Sequence, residues 1–275
     1  MPNIVRKIDP GLNLGLHELS KPRDGRGRFS FQLEFAEDQI EDILSNLGNL
    51  VQNTRAKAPM RRKDFCLTRV TDPKLTHEED KWERAMHRKW GPEGAGEFVP
   101  VCPRIQAYQY PLQDSRQDKR WGKIDLLGIG PDFLPVPIEL KKRKADESPL
   151  RMLVEVAAYG FAILKVWPNL QREWYIALDL PPSPCPKHLD RLTLIGVAPE
   201  EYWKSALGRW PHTKSGRFPP EAWPRFWKLV DALGEWFDIH FVAVDGAWDE
   251  TGVPDIAGAR VLDLRADSTA LADAR

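Results

Sequence analysis

A chain of 275 residues in which 40 Lys and Arg balance 40 Asp and Glu carries no formal net charge at pH 7, so affinity for a polyanion must come from a local patch and not from a basic whole. That length supports one elaborated domain with a sizeable core. The three cysteines, Cys66, Cys102 and Cys185, stand far apart without a Cys-x-x-Cys pair, which argues against a disulfide framework and a cysteine zinc site and points to a reducing cytoplasm.

In chain order, Phe29 to Phe35 is expected as a strand. Glu37 to Thr54 is expected as an amphipathic helix with Ile40, Ile43, Leu44, Leu47, Leu50 and Val51 inward. Together they make residues 1–75 an N-terminal strand and helix elaboration of the core. The basic stretch Arg55, Lys57, Arg61, Arg62 and Lys63 reads as a second polyanion contact or as a plain loop. Thr76-His77-Glu78-Glu79 has the form of a capping box, with Thr76 at the N-cap and Glu79 reaching back. Its helix should run to about Trp90, with Trp82, Ala85, Met86, Lys89 and Trp90 inward and Glu83 at the stripe's edge. Arg104 to Pro111 alternates apolar and polar residues as a first core strand does. The polar segment from Gln113 to Trp121 reads as a loop carrying Arg116, Lys119 and Arg120.

The next stretch is the most informative. Lys123 to Ile129 is apolar and β-compatible, Gly130-Pro131-Asp132 is turn chemistry, and Leu134 to Lys141 is a second apolar run. Pro135 and Pro137 give that second run an irregular or edge-like start. In a hairpin centred near Asp132, opposed residue numbers sum to about 264, which sets Glu139 across from Asp125. Lys141 shares the face of Glu139, while Leu140 points into the core and leaves its carbonyl near the site. Two opposed carboxylates repel unless a cation joins them. Mg2+ takes one or two carboxylates, waters and substrate phosphate, so Asp125 and Glu139 are candidate ligands, with the Leu140 carbonyl beside them. The Lys141 ammonium would position water or offset charge on the phosphate oxygens. Lys142, Arg143 and Lys144 follow directly, and with Arg116, Lys119 and Arg120 they are candidate contacts for a phosphate backbone.

Downstream, Ser148-Pro149 is an N-cap followed by proline at the first helical position. Leu150, Leu153, Val154, Ala157, Ala158 and Phe161 supply an apolar face to a helix expected to end near Trp167. This longest apolar helix carries Glu155 and Lys165, and the N-terminal residues 1–7 lack a signal-peptide core, so no membrane span is expected. Trp174 to Leu180 and Leu192 to Val197 read as strands. Pro220 to Trp236 reads as a helix and Ile239 to Val244 as another strand. The tail from residue 266 is polar and expected to be flexible. The eleven tryptophans are read mainly as core, since aromatic stripes at helical spacing usually pack inward.

At Asp125, Glu139 and Lys141 the chain resembles the PD-(D/E)xK nuclease superfamily, the restriction-endonuclease-like enzymes, in which an Asp on one core strand precedes Glu-x-Lys on the next. The likeness covers roughly Glu83 to Tyr159, and Ile124 stands where the family's proline is usual. It implies a metal-reaching glutamate on the preceding helix, for which Glu83 is the candidate and Glu79 its rival. It also implies a supporting pair on the following helix, matched by Glu155 and Tyr159.

The expectation is therefore an α/β fold with a central mixed β-sheet flanked by helices. A restriction-endonuclease-like core would occupy residues 76–265, with N- and C-terminal elaborations. Its expected activity is Mg2+-dependent hydrolysis of phosphodiester bonds in nucleic acid, DNA before RNA, with Mn2+ able to substitute and a homodimer as one form. Alanine at Asp125, Glu139 or Lys141 is expected to abolish cleavage with folding nearly intact. The alternatives are a non-cutting nucleic-acid-binding or assembly module on the same fold, and a metal-dependent hydrolase of small phosphorylated molecules.

Overall fold

The computed structural model describes residues 14–19, 37–59, 77–112, 121, 123–143, 147–178, 188–208, 218, 222–248 and 252–273. The expected strand from Phe29 to Phe35, the cap residue Thr76, and Arg116, Lys119, Arg120 and Lys144 lie outside them. Within them, helices α1 (Leu16–Leu19), α2 (Glu37–Lys57) and α3 (Glu78–Trp90) lead to a meander of β1 (Arg104–Pro111), β2 (Lys123–Ile129) and β3 (Pro135–Leu140). The long helix α4 (Pro149–Ala177) crosses over to β4 (Leu192–Pro199). Then come α5 (Glu200–Ala206), α6 (Trp223–Leu233), β5 (Phe237–Trp248), β6 (Pro254–Val261) and α7 (Leu264–Asp273).

The six strands form one mixed sheet in the order β1-β2-β3-β4-β5-β6. Antiparallel pairs join β1 to β2, β2 to β3 and β5 to β6, while β3, β4 and β5 run parallel. Side-chain alternation divides the core in two. Leu194 and Ala198 of β4 and Phe241 and Ala243 of β5 face a large cluster with α2, α4 and α6. Ile195, Val197, Val242 and Val244 face a smaller one with Trp82, Met86 and Trp90 of α3. The fold is thus α/β, a sheet with helices on both faces. Among the described residues no helix is long and apolar enough to cross a membrane.

Two departures from the sequence expectations have physical causes. The segment expected as a strand from Trp174 is helix through Ala177, because α4 continues past Pro168. Trp167, Leu170 and Trp174 are each at most 1% exposed at helical spacing, and their burial, about 1.5–3 kcal/mol for each large apolar side chain, outweighs the roughly 3 kcal/mol cost of an interior proline. The edge-like start expected of the second run is seen in β3, a central strand whose pairing with β4 starts only at Ile138, so Pro135 and Pro137 sit where that ladder needs nothing from them. The tail expected to be flexible is α7 from Leu264 to Asp273. Leu264 is buried, Trp227 Nε1 donates to Ser268 Oγ at 2.9 Å, and Arg265 lies over the Trp227 ring.

Candidate active site

The β2–β3 register pairs Leu126 with Ile138 and Leu127 with Pro137. One step further sets Asp125 opposite Glu139, as the hairpin arithmetic requires. The Leu140 N–H donates to Asp125 Oδ2 at 2.9 Å. In an extended strand the N–H and C=O of one residue face the same neighbour, so the Leu140 carbonyl is turned toward β2 as well. Beyond the strand, Lys141 stays attached to the sheet because its N–H donates to Val197 O at 2.9 Å.

The Lys141 ammonium is the hub of the site. Nζ lies 2.7 Å from Glu139 Oε1, 2.6 Å from Glu147 Oε2 and 2.5 Å from Glu155 Oε2. Arg151 braces the same acids, at 3.0 Å from Glu147 and 3.3 Å from Glu155. Helix α4 delivers Glu155 and Arg151 because Ser148 caps it, accepting from the Arg151 N–H, and because Gly196 lets it come close. Gly196 is the β4 neighbour of Glu139, and a Cβ there would collide with Met152 Sδ. One turn on, Tyr159 is buried and senses the charges of Glu139 and Asp125.

From the other layer, α3 contributes Glu83 and Glu79. Glu83 is 2% exposed, faces Asp125, and accepts from Gln109 Nε2 at 2.8 and 2.6 Å. The capping-box role expected of Glu79 is corrected: His77 is the N-cap and makes no side-chain cap bond. Glu79 instead accepts from the Lys142 N–H and lies in the field of Lys141.

Acids outnumber bases here, and burial sets the direction in which most of them shift. Burial pushes Asp125 up to about 7 and Glu79 and Glu155 add to this, against the pull of Lys141 and the Leu140 N–H. Burial and then Asp125 push Glu139 well above its ordinary value, and the same two causes take Glu83 to about 9. Burial would raise Glu155 too, but Lys141 and Arg151 outweigh it and bring the carboxyl to about 2. Lys141 is buried, which alone would lower it, yet Glu139, Glu155 and Glu147 hold it well above the usual lysine range.

The donor set suits a hard divalent cation. Glu139 Oε2 is buried with no hydrogen-bond partner among the described residues, and burial first of all holds Asp125, Glu139, Glu83 and Glu79 above their ordinary values. Among the described residues no group of three or more His, Cys, Asp or Glu side chains closes into a metal cage. Two carboxylates and a carbonyl, completed by water and phosphate, are instead the provision Mg2+ uses. As a whole residue Asp125 is partly exposed, whereas Glu139 and Lys141 are each 4% exposed.

All of the described site candidates except the phosphate contacts converge on this point. Lys142 and Arg143 follow it on a partly exposed segment. Two members of the earlier basic stretch have structural partners: Lys57 pairs with Glu18 at 2.8 Å and Arg55 lies over the Phe161 ring. Sequence reasoning missed Glu147 and Gln109, whereas the spacing by four of Arg151, Glu155 and Tyr159 puts them on one side of the helix, where Arg151 does pair with Glu155. Glu147 sits four residues before Arg151, a spacing that signals the pair. Gln109 is legible only from the β1–β2 register. No protein-family model matches the chain, and no match is found among curated proteins or solved structures.

Proposed function

We propose that the chain is a Mg2+-dependent nuclease, cutting phosphodiester bonds in DNA in preference to RNA, on a restriction-endonuclease-like core of the PD-(D/E)xK superfamily. The observation that carries this reading is the juxtaposition of Asp125 and Glu139 across β2 and β3, with Lys141 Nζ 2.7 Å from Glu139 and an unsatisfied Glu139 oxygen beside it. Asp125, Glu139 and the Leu140 carbonyl would hold the cation, and Glu83 would reach it from α3.

When bound, such a cation polarises the phosphate and lowers the pKa of a bound water. The protein's own residues supply the rest. Lys141, held well above the usual lysine range, stays an ammonium at any working pH; with its three N–H donors taken by Glu139, Glu147 and Glu155, it would act as a fixed positive charge near the phosphate oxygens and not as a general base. Glu155, ionised at all but strongly acidic pH, and Glu147 orient that ammonium. Tyr159, held neutral by burial and the surrounding acids, keeps its hydroxyl proton. Lys142 and Arg143, partly exposed at the exit of β3, would meet the phosphate backbone.

A second reading, a module of the same fold that binds nucleic acid without cutting, draws on the burial of Glu139 and Lys141 at 4% exposure each. Incubating the purified chain with single- and double-stranded DNA, RNA and a nucleotide panel, in Mg2+, Mn2+ or EDTA, separates the readings. Metal-dependent cleavage of DNA supports the nuclease. Binding without turnover supports the module, and turnover of nucleotides alone supports a small-molecule phosphohydrolase.

A further inference from the structure

Gln109 lies in β1 between two paired positions, Tyr108 opposite Leu126 and Tyr110 opposite Ile124. It therefore stands directly across from Asp125. Its φ is +51°, in the left-handed region that a residue with a Cβ occupies only when its surroundings over-determine it. The other described non-glycine residue with positive φ, Phe133, sits in the β2–β3 turn, where such a conformation is ordinary. Gln109 is flanked by strand on both sides, so no chain reversal explains its geometry.

The side chain does explain it. A regular strand conformation sends alternate side chains to opposite faces. The departure at Gln109 accompanies an amide turned onto a carboxylate of α3, with Nε2 at 2.8 Å from one Glu83 oxygen and 2.6 Å from the other. Glu83 is buried, and a buried carboxyl needs a hydrogen-bond donor to hold it in one place, which the Gln109 amide supplies at both oxygens. Strain held in a strand beside a cluster of buried acids is the pattern expected of a site that is preorganised.

We propose that Gln109 is a positioning residue, kept in a strained backbone conformation so that its amide fixes the Glu83 carboxylate beside Asp125 for cation binding; this rests on the metal-dependent reading above. Gln109 itself touches neither the cation nor the substrate. Its effect passes wholly through Glu83, as that of a residue behind a metal ligand does.

The test is a double-mutant cycle in the full chain: wild type, Gln109→Ala, Gln109→Gly, Glu83→Ala and Glu83→Ala/Gln109→Ala. Each is read by Mn2+ affinity, by Mg2+-dependent DNA cleavage and by melting temperature. Glycine occupies φ +51° at little cost, so Gln109→Gly removes the amide while relaxing the backbone, and it should melt at or above the temperature of Gln109→Ala. Both Gln109 variants should lose about 10- to 100-fold in Mn2+ affinity, and the double variant should be no worse than Glu83→Ala alone. The proposal is overturned if Gln109→Gly binds Mn2+ and cleaves like wild type, or if the Gln109→Ala and Glu83→Ala losses multiply in the double variant. A wild-type chain that neither binds Mn2+ nor cleaves removes the nuclease reading and this inference together. That outcome is distinct from one in which wild type works and Gln109 is dispensable.

Discussion

Replacing Lys141 by Met keeps most of the aliphatic stem and deletes the charge, and the geometry makes this a severe perturbation. Nζ is the shared partner of Glu139, Glu147 and Glu155, at 2.5 to 2.7 Å, in a site where Glu139 and Lys141 are 4% exposed. Removing one partner of a buried ion pair costs about 3–5 kcal/mol. At about 2 °C per kcal/mol for a chain of this size, the melting temperature should fall by roughly 6–10 °C. The expectation that substitution here leaves folding nearly intact is thus replaced. The pH dependence has a definite sign. Glu155 titrates near 2 in the folded chain, below its ordinary value, so its pairing contributes stability that is full above about pH 4.5 and lost as pH falls through about 2. The gap between wild type and Lys141→Met should therefore be widest at neutral pH and close toward pH 2–3. Adding Glu155→Gln to Lys141→Met removes the carboxylate that Lys141 holds ionised and should recover part of the loss. Thermal melts of the three proteins from pH 2 to 8 check this. A shift under 1 °C at pH 7, or a gap that widens on acidification, would refute the electrostatic account of the cluster.

Asp125→Asn should lower metal-dependent cleavage by at least 100-fold while stabilising the metal-free chain. Asp125 is pushed from 3.8 to about 7, a penalty of up to about 4 kcal/mol that is complete above pH 7 and vanishes below about pH 4, so melts of wild type and variant should converge in acid. Ser148→Ala removes the cap of α4 and should cost about 1 kcal/mol, seen as a melting point lower by about 2 °C. Gly196→Ala drives a Cβ into Met152 Sδ and should cost about 1–3 kcal/mol; adding Met152→Ala should relieve the clash, and cleavage should follow because Glu155 and Arg151 ride on the same helix.

The core of the site was legible because it depends on local rules. Turn chemistry at Gly130-Pro131-Asp132 set the hairpin centre, a period of two set the faces, and together they brought Asp125, Glu139 and Lys141 into one cluster. The Ser148-Pro149 cap was readable for the same reason, since a short sequence signal specifies it. What escaped depends on distant partners. Pro168 reads as a helix end until Trp167 and Trp174 are seen to be buried on one face of a continuing helix. β6 and α5 carry no period strong enough to announce themselves; β6 pairs with the adjacent β5 and also meets the remote α3, and α5 lies against β4 and β5. Gln109 requires the register of β1 against β2 together with the position of α3, and the role of Glu79 turns on where α3 begins, at Glu78 after an N-cap at His77.

The central claim is that the carboxylates of Asp125 and Glu139 share a divalent cation. Crystals soaked in MnCl2 and measured at the manganese edge test it directly. The account predicts an anomalous peak at about 2.0–2.3 Å from oxygens of both side chains, lost in Asp125→Asn. A well-ordered site with no peak there, or a peak bound elsewhere in a protein that still cleaves DNA, would contradict it.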